Sequence, residues 1–291
     1  MIRRVVVTAV VALLLLIALT FGVGWILSHP VQQKVGEPPA DLHAKSVLFQ
    51  SDNSAKVHGW WSAVSRSRGS VLLLPGVRAN RLSMVGRAQF LYRAGYSVLL
   101  IDLQATGETE GHEITFGWRE SRDVLAAVDF LRKADPDAPV VIIGSSLGGA
   151  AALLATPPLK VDAMVLESVY PTIEIATANR LEKYLGPLGR AGAPLLLMQV
   201  HARLGIPASR LHPVDHIANV GCPILIVSGE KDRNTTREDT RMLFSQAQEP
   251  KELWIVPKAG HVDLHQADTT EYESRILQFL GHISNNQPSA K

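Results

Sequence analysis

The chain opens with an apolar run and then settles into an alternation of short apolar stretches and amphipathic ones. From Val5 to Leu27 there is no Asp, Glu, Lys or Arg, and only small residues and two threonines interrupt the aliphatic side chains. At about 1.5 Å per residue, a helix of this run reaches across a hydrocarbon core of roughly 30 Å. Arg3 and Arg4 flank its N-terminal side, and excess positive charge places that end in the cytoplasm. Trp25 falls near the far end, where an interfacial aromatic sits. A cleaved signal peptide is the competing expectation. Its apolar stretch usually spans about 7–15 residues before a small-x-small site, whereas this run is longer and Leu27-Ser28-His29-Pro30 offers no clear site. A buried core helix is a third reading. The expectation is an uncleaved single-pass anchor over residues 1–27, with its N-terminus cytoplasmic and the rest of the chain extracytoplasmic. Residues 28–45, with Pro30, Gly36, Pro38 and Pro39, read as a linker with no core of its own.

From Ser46 the periodicity predicts strand and helix in turn. Val47–Gln50 and Lys56–Val64 read as an antiparallel pair. Val71–Leu74 is a buried strand ended by Pro75-Gly76, and Arg81–Ala94 is a helix stopped at Gly95. The unit repeats: strand Ser97–Leu103, helix Trp118–Lys133, strand Val140–Ile143, helix Leu147–Ala155. Strands Ala163–Leu166, Ile224–Ser228 and Leu253–Val256 follow, and a last helix runs from Thr269 to His282. Such alternation implies a mainly parallel sheet with helices on both faces. The stretch from about 171 to 217 breaks the rhythm. It holds two expected helices, Glu174–Tyr184 and Ala193–Leu204, and an insertion of that size reads as a cap over a site. The fold domain is thus expected over residues 46–285, followed by a disordered tail at 286–291.

Composition narrows the class. The 291 residues carry a formal net charge of +2, with 46% hydrophobic and 19% charged residues, which excludes a disordered chain. The basic excess is too small for a nucleic-acid footprint. Cys222 is the one cysteine, so an intrachain disulfide and any multi-cysteine metal site are excluded. No His-Glu-x-x-His, P-loop or Gly-x-Gly-x-x-Gly pattern is present. No cofactor or metal is implied.

Gly144-Ser145-Ser146-Leu147-Gly148 stands between an apolar strand and a small-residue helix. In that context G-x-S-x-G places a serine on a sharp, strained strand-to-helix turn with its Oγ exposed. A glycine-rich turn without chemistry is the alternative. Ser146, at the fixed position of the motif, is the candidate nucleophile rather than Ser145.

With Leu74-Pro75-Gly76, Asp102, Glu120, Asp123, Gly229-Glu230-Lys231-Asp232 and Gly260-His261, this elbow resembles the α/β-hydrolase superfamily. The resemblance extends to membrane-anchored or secreted bacterial serine hydrolases of the BEM46 and serine-aminopeptidase-like branch, and it covers roughly Ser46 to His282. It implies an α/β-hydrolase fold, mainly parallel with a small helical cap, and the chain order Ser, acid, His. His261 is then the base, in the loop before the last helix. Asp232 is the acid, with Glu230 and Asp263 as weaker substitutes. Among the other histidines, His265, His201, His212 and His216 fall on helices or the cap. The oxyanion hole takes the Leu147 N–H and, by resemblance, the Val77 N–H. Two departures stand out. Pro75-Gly76 replaces the usual His-Gly, and Gln104 and Thr109 stand where the family shows an arginine and a serine-containing loop. Asp102 reads as a structural acceptor of loop amides.

The expected function is a serine hydrolase, carboxylesterase-like, acting on a small-molecule acyl ester or lipid-like substrate at a membrane, without an obligate protein partner. A peptidase or amidase of the same fold is the nearest alternative. Acyl transfer would use the same triad. A non-catalytic membrane-tethered binding module is the reading from another class. The cap run Ala193–Val200 lines an acyl pocket, touches lipid, or simply packs on the body.

Overall fold

The computed structural model describes residues 1–52 and 56–285; the tail expected at 286–291 lies outside them. The N-terminal run forms one helix, α1 (Ile2–Ser28), with a mean hydropathy of 2.8 over its most apolar 18 residues. It is long and apolar enough to cross a membrane. After it come β1 (Val31–Gln32), β2 (Lys45–Gln50), β3 (Lys56–Ser62), β4 (Ser70–Leu74), α2 (Val85–Arg93), β5 (Ser97–Ile101), β6 (Thr106–Gly107) and α3 (Glu120–Ala134). The second half holds β7 (Val140–Ser145), α4 (Leu147–Leu153), β8 (Ala163–Glu167), α5 (Ile173–Leu185), α6 (Pro187–Leu204), α7 (Pro213–His216), β9 (Ile224–Gly229), α8 (Arg237–Gln246), β10 (Lys251–Val256), α9 (Leu264–Ala267) and α10 (Thr269–Asn285).

Eight strands form one sheet in the order β10-β9-β8-β7-β4-β5-β3-β2. Pairing is parallel from β10 to β5, and β3 runs antiparallel to both of its neighbours. The central strands are buried on both faces, as parallel strands between helical layers must be. Along β4 the side chains alternate. Val71 and Leu73 join Ala88 and Leu91 of α2 and Ile276 and Phe279 of α10. Leu72 and Leu74 join Val124 and Leu131 of α3 and Ala150 of α4. Each such aliphatic side chain, fully buried, contributes about 1.5–3 kcal/mol relative to exposure. Burying both faces of β4 therefore fixes where its C-terminal end, and the loop after it, must lie.

Two regions differ from the sequence-based expectation. The linker is incorporated into the body: β1 pairs with β6 in parallel, and Leu42 is fully buried in the α2 and α10 layer. A single leucine in a Pro-rich stretch carries no periodicity, so nothing in the pattern announces it. The second cap helix starts at Pro187 rather than near Ala193. Proline at the first helical position lacks only an amide that has no intrahelical partner there. Gly186, at φ 61°, makes the tight turn from α5.

Candidate active site

Ser146 links β7 to α4 at φ 47° and ψ −107°, a conformation that costs a non-glycine residue about 1–3 kcal/mol and that the surroundings must impose. The two motif glycines let them do so. A Cβ at Gly144 would lie 2.6 Å from the Gly149 nitrogen, and one at Gly148 would lie 2.6 Å from the Leu74 carbonyl oxygen. The Ser146 N–H donates to the Glu167 carbonyl at 2.7 Å, pinning the turn to β8. Leu147, the first residue of α4, has an amide with no intrahelical acceptor.

The loops after β9 and β10 bring Asp232 and His261 together. Asp232 is buried. Its Oδ1 accepts the N–H groups of Asn234 and Thr235 at 2.8 and 2.9 Å, and its Oδ2 lies 2.8 Å from His261 Nδ1. A carboxylate oxygen can only accept, so in the neutral imidazole the proton is on Nδ1 and the lone pair on Nε2. Four of the competing acids and bases are committed elsewhere. Glu230 accepts from the Lys258 N–H, Asp263 pairs with Arg87 at 2.8 Å, and His265 reaches Glu273 at 3.0 Å while stacking on Phe90. His212 lies between Glu174 and Asp215.

After β4 the chain turns through Pro75, Gly76 and Val77, with Arg78 left-handed at φ 61°. Arg78 Nη1 donates to the Ile26 carbonyl at 2.9 Å, so the end of α1 supports this loop. Behind it, Asp102 accepts the N–H groups of Arg81 and Glu108, both at 2.8 Å, in addition to the Arg81 guanidinium. That guanidinium also meets Glu108 and lies over Trp60. Arg81 thus supplies the cation that faces Asp102. The Gln104 N–H donates to Asp123 at 2.7 Å. Burial pushes the Asp123 carboxyl up to about 8 despite that bond, with Glu120 adding to the rise.

Val77, Ser146, Leu147 and His261 line one pocket, with Asp232 bound to the histidine. The five candidate site residues of the sequence are thus brought together. Further walls were not indicated by any motif: Phe116 and Tyr170 from the body, Leu196, Leu197 and Val200 from α6, and Gly24, Leu27 and Ser28 from α1. These are tertiary neighbours without a local signature. Only the apolar run at Ala193–Val200 hinted at one of them.

Comparison with known proteins bears on the fold. Residues 57–273 match the alpha/beta hydrolase family. The alpha/beta hydrolase domain-containing protein WAV2 of Arabidopsis thaliana is 28% identical over 259 residues, covering 83% of this chain and 80% of that protein. An uncharacterized protein of Mycobacterium tuberculosis is 28% identical over 243 residues, covering 81% and 79%. Among solved structures, an esterase of Pyrococcus furiosus superposes with a TM-score of 0.72 at 24% identity, over 88% of this chain and 98% of that one. A bacterial membrane phospholipase A superposes with a TM-score of 0.60 at 15% identity, over 98% and 97%. The chain belongs to the alpha/beta hydrolase family.

Proposed function

We propose that the protein is a membrane-anchored serine hydrolase that cleaves carboxylic esters. The observation that carries this reading is the Asp232–His261 hydrogen bond at 2.8 Å, with His261 and the strained Ser146 facing one pocket. Ser146 Oγ attacks the acyl carbonyl carbon while His261 Nε2 takes its proton. The Asp232 carboxylate holds the Nδ1–H and stabilises the imidazolium that forms. The amides of Val77 and Leu147 donate to the developing oxyanion. The tetrahedral species then collapses, the C–O bond to the alcohol breaks, and His261 returns the proton to the departing oxygen. Water, deprotonated by His261, attacks the acyl-Ser146 carbonyl; the second tetrahedral species collapses with cleavage of the C–Oγ bond, His261 returns the proton to Ser146 Oγ, and the carboxylic acid leaves.

Support for a retained anchor comes from its attachments. The Thr20, Ile26 and Ser28 carbonyls accept from Gln199, Arg78 and Ile114 of the body at 2.7–2.9 Å, and cleavage after α1 would remove all three acceptors. With Arg3 and Arg4 on the cytoplasmic side, the hydrolase domain is extracytoplasmic. The solved relatives named esterase and phospholipase A fit ester chemistry. The test is turnover of p-nitrophenyl butyrate by the full-length chain. Ser146→Ala and His261→Ala should each lower kcat by about 10⁴-fold or more, and Asp232→Asn by a comparable factor. A Ser146→Ala variant with wild-type turnover would refute the reading.

A further inference from the structure

We propose that the end of α1 is a wall of the substrate pocket, and that the substrate is a long-chain acyl lipid taken from the bilayer that α1 enters. Its hydrocarbon tail lies in the pocket that Leu27 of α1 and Leu196, Leu197 and Val200 of α6 border, with the ester carbonyl at Ser146. This inference rests on the serine-hydrolase reading above and adds the substrate class.

The first observation is the lining. Gly24, Leu27 and Ser28 border the same pocket as Ser146 and His261. Thr20, Gly24, Leu27 and Ser28 recur at helical spacing, so they share one face of α1. α6 is held against that face. Gln199 Nε2 donates to the Thr20 carbonyl at 2.7 Å, Arg203 donates to the Phe21 carbonyl, and Arg203 Nε braces Gln199 Oε1 at 2.8 Å. A Cβ at Gly24 would lie 2.4 Å from Gln199 Oε1, so glycine there leaves room for the Gln199 amide. The pocket thus borders the C-terminal end of the apolar helix, so a tail held in it lies beside the segment that enters the bilayer.

The second observation is the outer surface of the cap. Leu196, Leu197 and Val200 of α6 face the pocket, whereas Leu188 and Met198 of the same helix are 84% and 77% exposed. Tyr184 and Leu185, at the end of α5, are also exposed. Clustered exposed apolar side chains on a soluble surface mark contact with a partner or a membrane. The position of α6 beside α1 gives the exposed side chains an occupant for their outer face, namely the same bilayer.

The experiment uses the full-length chain in phosphatidylcholine vesicles and compares p-nitrophenyl butyrate with p-nitrophenyl palmitate. Leu27→Trp narrows the pocket from α1, and Leu197→Trp narrows it from α6. Each should lower the palmitate-to-butyrate ratio of kcat/KM by about tenfold or more. Leu15→Trp, on α1 beyond the pocket, should leave the ratio at the wild-type value. Palmitate ester in the vesicles that hold the protein should be hydrolysed at least tenfold faster than the same ester in separate vesicles. An unchanged ratio in both pocket variants, or equal rates from the two vesicle populations, would overturn the proposal. Failure of the underlying reading looks different: the wild type would then hydrolyse neither ester.

Discussion

Arg78 donates to the Ile26 carbonyl at 2.9 Å, so the residue after Val77 is tied to the last turn of α1. The resemblance to the family implies a histidine before the glycine; this chain has Pro75, and part of the loop's support comes from α1. Arg78, left-handed at φ 61°, follows Val77 directly, so its tether steadies the loop that carries the Val77 amide. Arg78→Ala should therefore lower kcat on the butyrate ester by about 3- to 10-fold, the scale of one ordinary hydrogen bond, and leave KM unchanged. Arg78→Lys should recover part of the loss. A rise in KM at constant kcat would instead assign Arg78 to substrate binding.

Gly148 sits where α4 crosses the end of β4. Because an added Cβ would meet backbone, at 2.6 Å from the Leu74 carbonyl, no side chain can swing away to relieve it. Gly148→Ala should cost at least about 1–3 kcal/mol of stability, the range for an overpacked core. Thermal unfolding of the detergent-solubilised chain checks this. An unchanged midpoint would mean that the elbow has room that the geometry denies.

Asp123 predicts a pH dependence of stability. Its folded value near 8 lies above the ordinary 3.8 because burial disfavours the charged form. Between those values the folded protein holds a proton that the unfolded chain has released. Stability contributed by this group is thus present below pH 4 and declines as the pH rises toward 8. Asp123→Asn keeps an acceptor for the Gln104 N–H and removes the titration. The fall in unfolding midpoint between about pH 5.5 and 8.5 should be shallower in the variant. Asp102 and Glu120, also raised mainly by burial, leave a residual slope of the same sign. An identical slope in both proteins would show that Asp123 is ionised in the fold.

Much of this arrangement was legible because it is local. The strand, the strained serine and the small-residue helix are consecutive in sequence, and the acid and histidine loops each follow an apolar strand. The cap start was harder to read. Pro187, Gly189, Gly192 and Pro194 look like a broken stretch, yet Pro187 occupies a position where a proline is tolerated. Arg81 was not singled out as the cation beneath Asp102 because its partner lies 21 residues away. The contribution of α1 was also invisible, since an apolar face looks the same in sequence whether it meets lipid or α6.

The most direct measurement of the central claim is reaction of the folded, full-length chain with a fluorophosphonate, followed by peptide mapping of the adduct. A single adduct on Ser146, absent from Ser146→Ala and slowed by at least about 100-fold in His261→Ala, is the predicted result. An adduct on Ser145, or none on a chain shown to be folded, would contradict it.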